Sequence, residues 1–436
     1  MEKVELESKT SARNWLNIWL LGFIGQLCWN IENVWFNNFV YDKIAKDPSI
    51  IAWMGGVSAI ASTFATFIIG TWSDRKGKRK RFISIGYILW GMFTIVFGVA
   101  EFLPKSPLFL VISFVILADA IMSFFGSMGH DAGFQSWTTD ITNKKNRGKL
   151  GGVLATLPVM ATIFGAAVSG VIIKTYDYFV FFIIMGGIVA IVGLLSIFMI
   201  KDSPNLKPRI SHQSYFKQLG DVFKWSTVIQ NKELFWVFIL NAVFSSCFNI
   251  YFPYFTIYFN NYLGYGLDFA GIILAAALVL ALFVAIPAAK FIDKGLVVPT
   301  VSFALLSSII GLVALSVVPN AIPFIIASTF FVGVGYILMI QTLTAWLKNL
   351  FPSEQRGQFE GVRMIFFVCI PMIIGPNIAK YIINTYGVYM EIDNISGMVP
   401  NETLFIGAAL LTILAFLPII PANKWAKIRK REGELK

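Results

Sequence analysis

Cysteine, histidine and charge are all scarce in this chain, and each shortage removes a class of explanation. The three cysteines, Cys28, Cys247 and Cys369, fall inside apolar runs, so no disulfide framework is expected and the redox compartment is not readable from them. The two histidines, His130 and His212, sit far apart with no Cys/His cluster, so neither a structural metal nor a cofactor is expected. No G-x-x-x-x-G-K-[ST] run occurs, which removes an ATP-driven pump. His130 stands beside a single Asp with no nucleophile elbow or ligand set around it, so no enzyme activity is expected. With only 14% of side chains charged, a soluble globule is excluded as well.

Apolar runs are what the chain has instead. Of its 436 residues 57% are hydrophobic, and the mean hydropathy is +0.72. Twelve runs can be traced, near 15–41, 50–72, 82–102, 108–137, 150–174, 178–200, 233–262, 268–290, 297–317, 323–348, 358–384 and 403–421. Each reaches the roughly 20 residues that cross a hydrocarbon core as a helix. The fold expected is therefore an all-α polytopic membrane protein with twelve transmembrane helices. The first dozen residues, MEKVELESKTSA, are polar, and the first run is too long for a signal-peptide core, so it reads as a retained helix.

The net charge of +11 is a statement about topology rather than nucleic acid. If the basic stretch at 73–81 is cytosolic and the helices alternate, all but five of the 35 Lys and Arg fall on the cytosolic side, the exceptions being Lys43, Lys46, Lys105, Lys174 and Lys380. That asymmetry places both termini in the cytosol and makes a cell membrane the expected location, with anionic lipid as the partner of the basic face.

Polar groups inside the runs mark a candidate site. Gln26, Asn30, Asn33 and Asn37 recur within about 60 degrees on a regular helix, with Trp29 beside them and Glu32 beyond. Interhelical hydrogen bonding would account for such a stripe, and so would a sugar cavity in which rings stack on indole and hydroxyls meet amides. The fourth run carries Asp119 and Asp131, then Gln135 and Trp137. No Lys or Arg lies deep in a run to neutralise Glu32, Asp119 or Asp131, so a proton or bound cation is the cheapest companion for them. Asn249, Gln341 and Trp346 extend the candidate lining into the second half, and a kink is expected at Pro253.

The halves repeat. Trp137, Arg147, Gly148, Gly152 and Val153 share their spacing with Trp346, Arg356, Gly357, Gly361 and Val362, at a constant shift of 209 residues. The domains follow: a six-helix bundle over 1–200, a cytosolic linker over 201–232 with amphipathic pieces such as 215–225, and a second bundle over 233–436 with a basic tail. Two parallel repeats of this kind build rocking transporters with a midplane substrate site, here expected among helices 1, 4, 7 and 10.

The stretch Gly70–Arg81, G-x-x-x-D-R-x-G-K-R-K-R, resembles the loop between the second and third helices that is the signature of the major facilitator superfamily. Gly70 is expected to end a helix tightly, with Asp74, Arg75 and Gly77 completing the motif. The resemblance implies a gating set that includes Arg147, Arg356, Glu360 and Arg363, with Asp74 capping the helix that begins near Arg356. Within the superfamily, H-D-A-G-F-Q-S-W at 130–137 is similar to the helix-4 segment of the glycoside-pentoside-hexuronide:cation symporters, the melibiose permease relatives. In that group the helix-4 aspartate serves sugar and cation together, and Asp131 is the matching residue. The chain departs from the group in helix 2, where Ser62, Thr66 and Phe67 stand at the acidic cation positions and their neighbour.

These readings lead to a secondary active transporter of a small hydroxylated solute, a sugar or glycoside, working as a monomer by alternating access and coupled to a proton in preference to sodium. A drug/proton antiporter, an uncoupled facilitator and, outside transport, a transporter-like receptor or lipid scramblase are the alternatives.

Overall fold

The computed structural model describes residues 10–142, 146–204, 206, 208, 224–317, 321–351 and 356–434. Helix α1 covers 12–44 and opens on Ser11, whose hydroxyl caps the Asn14 N–H at 3.2 Å. Two π-helical segments, Ile31–Phe36 and Val40–Ile44, interrupt it. Then follow α2 (Pro48–Lys76), α3 (Lys80–Phe102) and α4 (Leu108–Asp140). The long helical stretch Arg147–Met199 is broken at Asp177, a non-glycine residue with φ 68°, into α5 (147–176) and α6 (178–199). A short helix, Trp225–Gln230, precedes α7 (Lys232–Tyr262), α8 (Leu267–Asp293), α9 (Val297–Val317), α10 (Ile322–Leu350), α11 (356–386) and α12 (403–434).

Among the described residues ten helices are long and apolar enough to cross a membrane, where twelve runs were expected. Two features account for the difference. The break at Asp177 leaves the fifth and sixth runs inside one continuous span, Lys149–Met199, and the polar stripe on α1 keeps that helix out of the ten.

The expectation that Gly70 ends a helix is corrected. Helix α2 continues through it to Lys76, and a Cβ at Gly70 would meet nothing within 4 Å. Gly77, at φ 60°, is the residue that terminates the helix, in the left-handed conformation that glycine adopts without penalty. The tight turn is therefore three residues, 77–79, and most of the signature stretch is helical. The kink expected at Pro253 is a 3-10 turn, Phe252–Tyr254, because proline deprives α7 of a main-chain donor there.

Residues 388–399 depart from the all-helical expectation. Strands β1 (Val388–Ile392) and β2 (Ile395–Val399) pair antiparallel, with Ile392 opposite Ile395. Asp393 and Asn394 both take positive φ, 55° and 60°, as a two-residue hairpin turn matching the strand twist requires.

The chain separates into two compact units, and the division does not follow the sequence repeat. The first holds Met1–Glu32, Ile60–Thr162 and Tyr176–His212, and the second holds Asn33–Ala59, Ile163–Thr175 and Gln213–Lys436. In the first unit α3 and α6 approach through Gly91 and Gly186. A Cβ on either would lie 2.3 or 2.5 Å from the other's carbonyl oxygen, the small-residue contact that lets spanning helices touch backbone to backbone. Trp90, Trp137, Tyr87, Phe97, Phe134, Phe181 and Phe182 are its fully buried large side chains. Trp35, Phe36, Phe39, Tyr41 and Tyr254 play that part in the second unit. Most of the expected linker lies outside the described residues, including 215–223 of its amphipathic piece.

Candidate functional site

In the first unit Gln26, Trp29 and Glu32 of α1 meet residues of α3 and α4. Tyr87 of α3 donates its hydroxyl proton to the Leu21 carbonyl oxygen at 2.7 Å and also lies 2.8 Å from His130 Nδ1. Its single proton is committed to Leu21, so His130 Nδ1 is the donor in the second contact. His130 Nε2 is then an acceptor, and the Gln26 amide donates to it at 3.0 Å. The imidazole is therefore neutral and fixed in one tautomer, stacked on Phe134 at 5.0 Å. Gly25 makes room for it, since a Cβ there would sit 2.2 Å from Nδ1. Gln26 is thus oriented by two residues that the sequence reading had left without a role.

Trp29 lies against Trp90 with ring centroids 4.8 Å apart. The Trp90 Nε1–H and the Asn30 Oδ1 are buried and have no partner among the described residues. Buried polar atoms of this kind are rare and ask for a water or a ligand group. One step further along α1, Glu32 accepts a hydrogen bond from Ser123 of α4 at 2.6 Å. Asp131 accepts one from Ser127 at 2.7 Å, and Asp119 is 2% exposed. Glu32 and Asp131 both sit in π-helical segments, Ile31–Phe36 and Ser127–Phe134, a distortion that recurs at functional positions.

Other candidates have different duties. Asn37 donates to the Asn33 carbonyl at 2.8 Å, and both belong to the second unit, so the four-amide stripe is divided after Asn30. Asn249 likewise donates to the Ser245 carbonyl at 2.8 Å, while Gln341 Oε1 is buried without a partner among the described residues. Trp137 and Trp346 do not present their indole donors to a solute. Trp137 Nε1–H bonds the Lys201 carbonyl at 2.9 Å, and Trp346 Nε1–H bonds Glu233 Oε1 at 2.8 Å. The two repeat partners therefore fasten helix ends, Trp137 the end of α6 and Trp346 the start of α7. Gln135 is half-buried, its main-chain oxygen taking the Thr138 and Thr139 hydroxyls.

At the signature turn Asp74 is ion-paired with Arg79, which also bonds Asp140 Oδ2 at 2.9 Å and the Ser73 hydroxyl. Burial works against the Arg79 charge, yet Asp74 and Asp140 outweigh it and hold the guanidinium above its ordinary value. Asp202, just after α6, takes the main-chain N–H groups of Arg79 and Lys80, each at 2.8 Å, and so caps α3. Arg363 lies 5.1 Å over the Phe367 ring. The side chains of Arg147, Arg356 and Glu360 lie outside the described residues. Nothing in the sequence separated Arg79 from the basic residues around it; only its burial does.

The helix-2 positions carry hydroxyls already engaged with main chain, Thr66 on the Ser62 carbonyl at 2.9 Å and Ser62 on the Ser123 carbonyl at 3.5 Å. Among the described residues no group of three or more His, Cys, Asp or Glu could hold a metal ion.

Comparison with known proteins places this geometry. The MFS-type transporter SLC18B1 of Homo sapiens is 26% identical over 262 residues, 59% of this chain and 53% of the relative. Its Mus musculus counterpart is 26% identical over 251 residues, covering 56% and 50%. The chain thus spans about half the length of the curated relatives it matches. Among solved structures, a variant of the nucleoside transporter NupG superposes with a TM-score of 0.71 at 14% identity, over 93% of this chain and 99% of that one. A bacterial homologue of the human lysosomal transporter Spinster, inward-facing and unoccupied, gives 0.67 at 13% identity, over 96% and 99%. At such identity these likenesses show the fold alone. None of the four is by name a melibiose permease relative, so the resemblance to that branch rests on the segments 130–137 and 356–376. The model of the Major Facilitator Superfamily matches residues 18–376 and 267–435, and the chain, a multi-pass membrane protein, belongs to that family of transporters.

Proposed function

We propose that this chain is a proton-coupled secondary transporter of a small hydroxylated solute, a sugar or glycoside, crossing the cell membrane twelve times with both termini in the cytosol and working as a monomer by alternating access. The observation that carries the reading is the stretch of α1 holding Gln26, Trp29, Asn30 and Glu32, which meets His130, Trp90 and Ser123 of α3 and α4, with Asp131 next in sequence to His130. An indole face, an oriented amide and two buried polar atoms without partners among the described residues, Asn30 Oδ1 and Trp90 Nε1, suit a ring bearing hydroxyls. Asp131 and Glu32, each accepting a serine proton, suit a cycle in which a carboxylate gains and loses a proton. The helix-2 hydroxyls bring no charge, which favours a proton over sodium.

The test is the purified full chain in liposomes with a trapped pH dye, given a panel of mono- and disaccharides and glycosides with no imposed gradient. Proton entry with one sugar, lost in Asp131→Asn, is the expected result. Labelled sugar uptake without proton movement would replace symport by facilitation or another ion. No response to any sugar would overturn the substrate class and direct the same liposomes to lipophilic cations.

A further inference from the structure

Within the second unit, the connection between α1 and α2 does not lie loose. Lys46, in the extended turn after Ala45, pairs in parallel with Gly397 of β2, and its carbonyl accepts the Met398 N–H at 3.0 Å. The two-stranded hairpin thereby gains a third short strand from the other end of the sequence. The Lys46 side chain folds inward instead of reaching for water. It is 3% exposed, and its ammonium donates to the Tyr41 carbonyl at 3.1 Å. Burial lowers its pKa, although the carboxylates of Asp42 and Asp393 work in the other direction.

Neighbouring contacts tie the flanks of the same turn to α7. Asn261 donates to Asp42 at 3.2 Å, Tyr254 donates to the Pro48 carbonyl at 3.2 Å, and Asn38 bonds the Thr256 hydroxyl. Tyr262 donates to Glu402 at 2.9 Å, fixing the end of α7 to the start of α12, where the hairpin returns. Alongside, α5 and α8 touch backbone to backbone at two glycines. A Cβ at Gly170 would lie 2.4 Å from the Leu267 carbonyl oxygen, one at Gly271 would lie 2.0 Å from that of Ala166, and Lys174 pairs with Asp268 at 2.7 Å.

We propose that the β1–β2 hairpin is a strap that holds its own end of the transporter shut, and that it must lift from Lys46 when this end opens. The inference rests on the alternating-access part of the proposed function and on nothing about the solute. Residues 33–59 and 163–175 come from the first sequence repeat, yet they are packed here against α7, α8, α11 and the hairpin. Opening this end requires those contacts to part. Packing between spanning helices can slide or re-form, whereas a strand pairing between main chains is held in register and must break as a unit. Gly397 is the residue that allows the pairing. A Cβ there would lie 2.2 Å from the Lys46 oxygen and 2.8 Å from its Cβ, so any side chain pushes the strap off.

The experiment uses two spin-label pairs in the full chain, reconstituted in nanodiscs after replacement of the three native cysteines. Labels at Asp47 and Tyr389 report the strap, and labels at Thr175 and Leu263 report the end itself. Gly397→Val should lengthen the 47–389 distance, and with it raise the long-distance fraction at 175–263 about fivefold, the effect of one lost hydrogen bond on a two-state equilibrium. Met398→Pro, which deletes the N–H that Lys46 accepts, should do the same by a different route. A strap that lifts while the 175–263 distribution stays unchanged would overturn the proposal. So would two variants that leave the 47–389 distance where it was, because the strap would then not be held by these contacts. Neither readout involves a solute, so a negative sugar assay leaves the strap standing, and a failed strap leaves the transport reading untouched.

Discussion

Arg79 offers a prediction whose magnitudes follow from burial alone. Its side chain is 6% exposed and is shared by Asp74, at 40% exposure, and Asp140, at 23%. An ion pair with one partner in water contributes at most about 1 kcal/mol, because solvent screens it. Removing a charged acceptor from a buried donor costs about 2–3 kcal/mol, since the donor keeps its desolvation penalty. Asp74→Asn should therefore destabilise the first unit by about 1 kcal/mol or less, and Asp140→Asn by roughly twice that or more. Arg79→Met should cost about 3 kcal/mol, the figure for stranding partly buried partners. Asp202 would remain on the main chain of residues 79 and 80 in all three, so α3 should keep its cap. Unfolding in mixed detergent micelles, followed by far-UV circular dichroism, gives the three values. A loss in Asp74→Asn equal to that in Asp140→Asn would refute the reasoning, because it would mean the exposed carboxylate is the one that holds the guanidinium. The expected order has a functional consequence. An aspartate held this weakly can leave Arg79 during a transport cycle, while Asp140 keeps the arginine in place.

Tyr87→Phe deprives the Leu21 carbonyl and His130 Nδ1 of their partner and should cost about 1–3 kcal/mol, because the network that orients Gln26 is broken; an unchanged melting curve would show that the network is idle. Arg429 grips both oxygens of Glu233, at 2.8 and 3.2 Å, so Arg429→Met alone should be worse than Arg429→Met combined with Glu233→Gln, and a double-mutant cycle reads the difference. Ala at Gly271 should loosen the α5–α8 contact, because the obstacle is main-chain oxygen and cannot rotate away, whereas Ala at Gly187, with nothing within 4 Å, should be silent; equal thermal shifts would refute this. The depressed Lys46 pKa means that the cost of burying its charge is fully present at neutral pH and is relieved as pH rises through the folded value toward 10.5, so stability should climb over that alkaline window in the parent relative to Lys46→Met, and parallel curves would show that the ammonium is not buried.

Length, hydropathy and charge made the spanning helices legible, because such segments need long apolar runs whatever they pack against, whereas the division into two compact units does not follow the sequence repeat. The site was legible only in part. The stripe of Gln26, Asn30, Asn33 and Asn37 assumes a constant helical pitch, and the π segments at 31–36 and 40–44 reset the phase exactly where it matters. Gln26 and Asn30 stay together, while Asn37 turns back onto Asn33. His130 looked idle because its partners, Gln26 and Tyr87, come from other helices and no spacing rule connects them. Arg79 was hidden in a basic run whose members look alike until one of them is buried. The strap was invisible for a similar reason, since residue 46 and residue 397 find each other only after α1, α2, α11 and α12 are in place.

The tryptophan repeat shows what an internal duplication does and does not reveal. The shift of 209 residues identified Trp137 and Trp346 as equivalents, and indoles inside apolar runs suggested stacking surfaces. Both are in fact buried donors at helix ends, and the first unit meets its donor with a main-chain oxygen at Lys201 while the second uses a carboxylate at Glu233. A carboxylate there needs a cation, and Arg429 of the terminal helix supplies it; the main-chain acceptor needs none, and Arg13 of α1 instead bonds the Phe198 and Met199 carbonyls directly. The end of α6 and the start of α7 are thus each held by a tryptophan and an arginine, although only the tryptophans occupy matching positions in the repeat. Duplication preserved the demand that a helix end be fastened at the linker, and the acceptor then determined which further charge the surrounding chain had to provide.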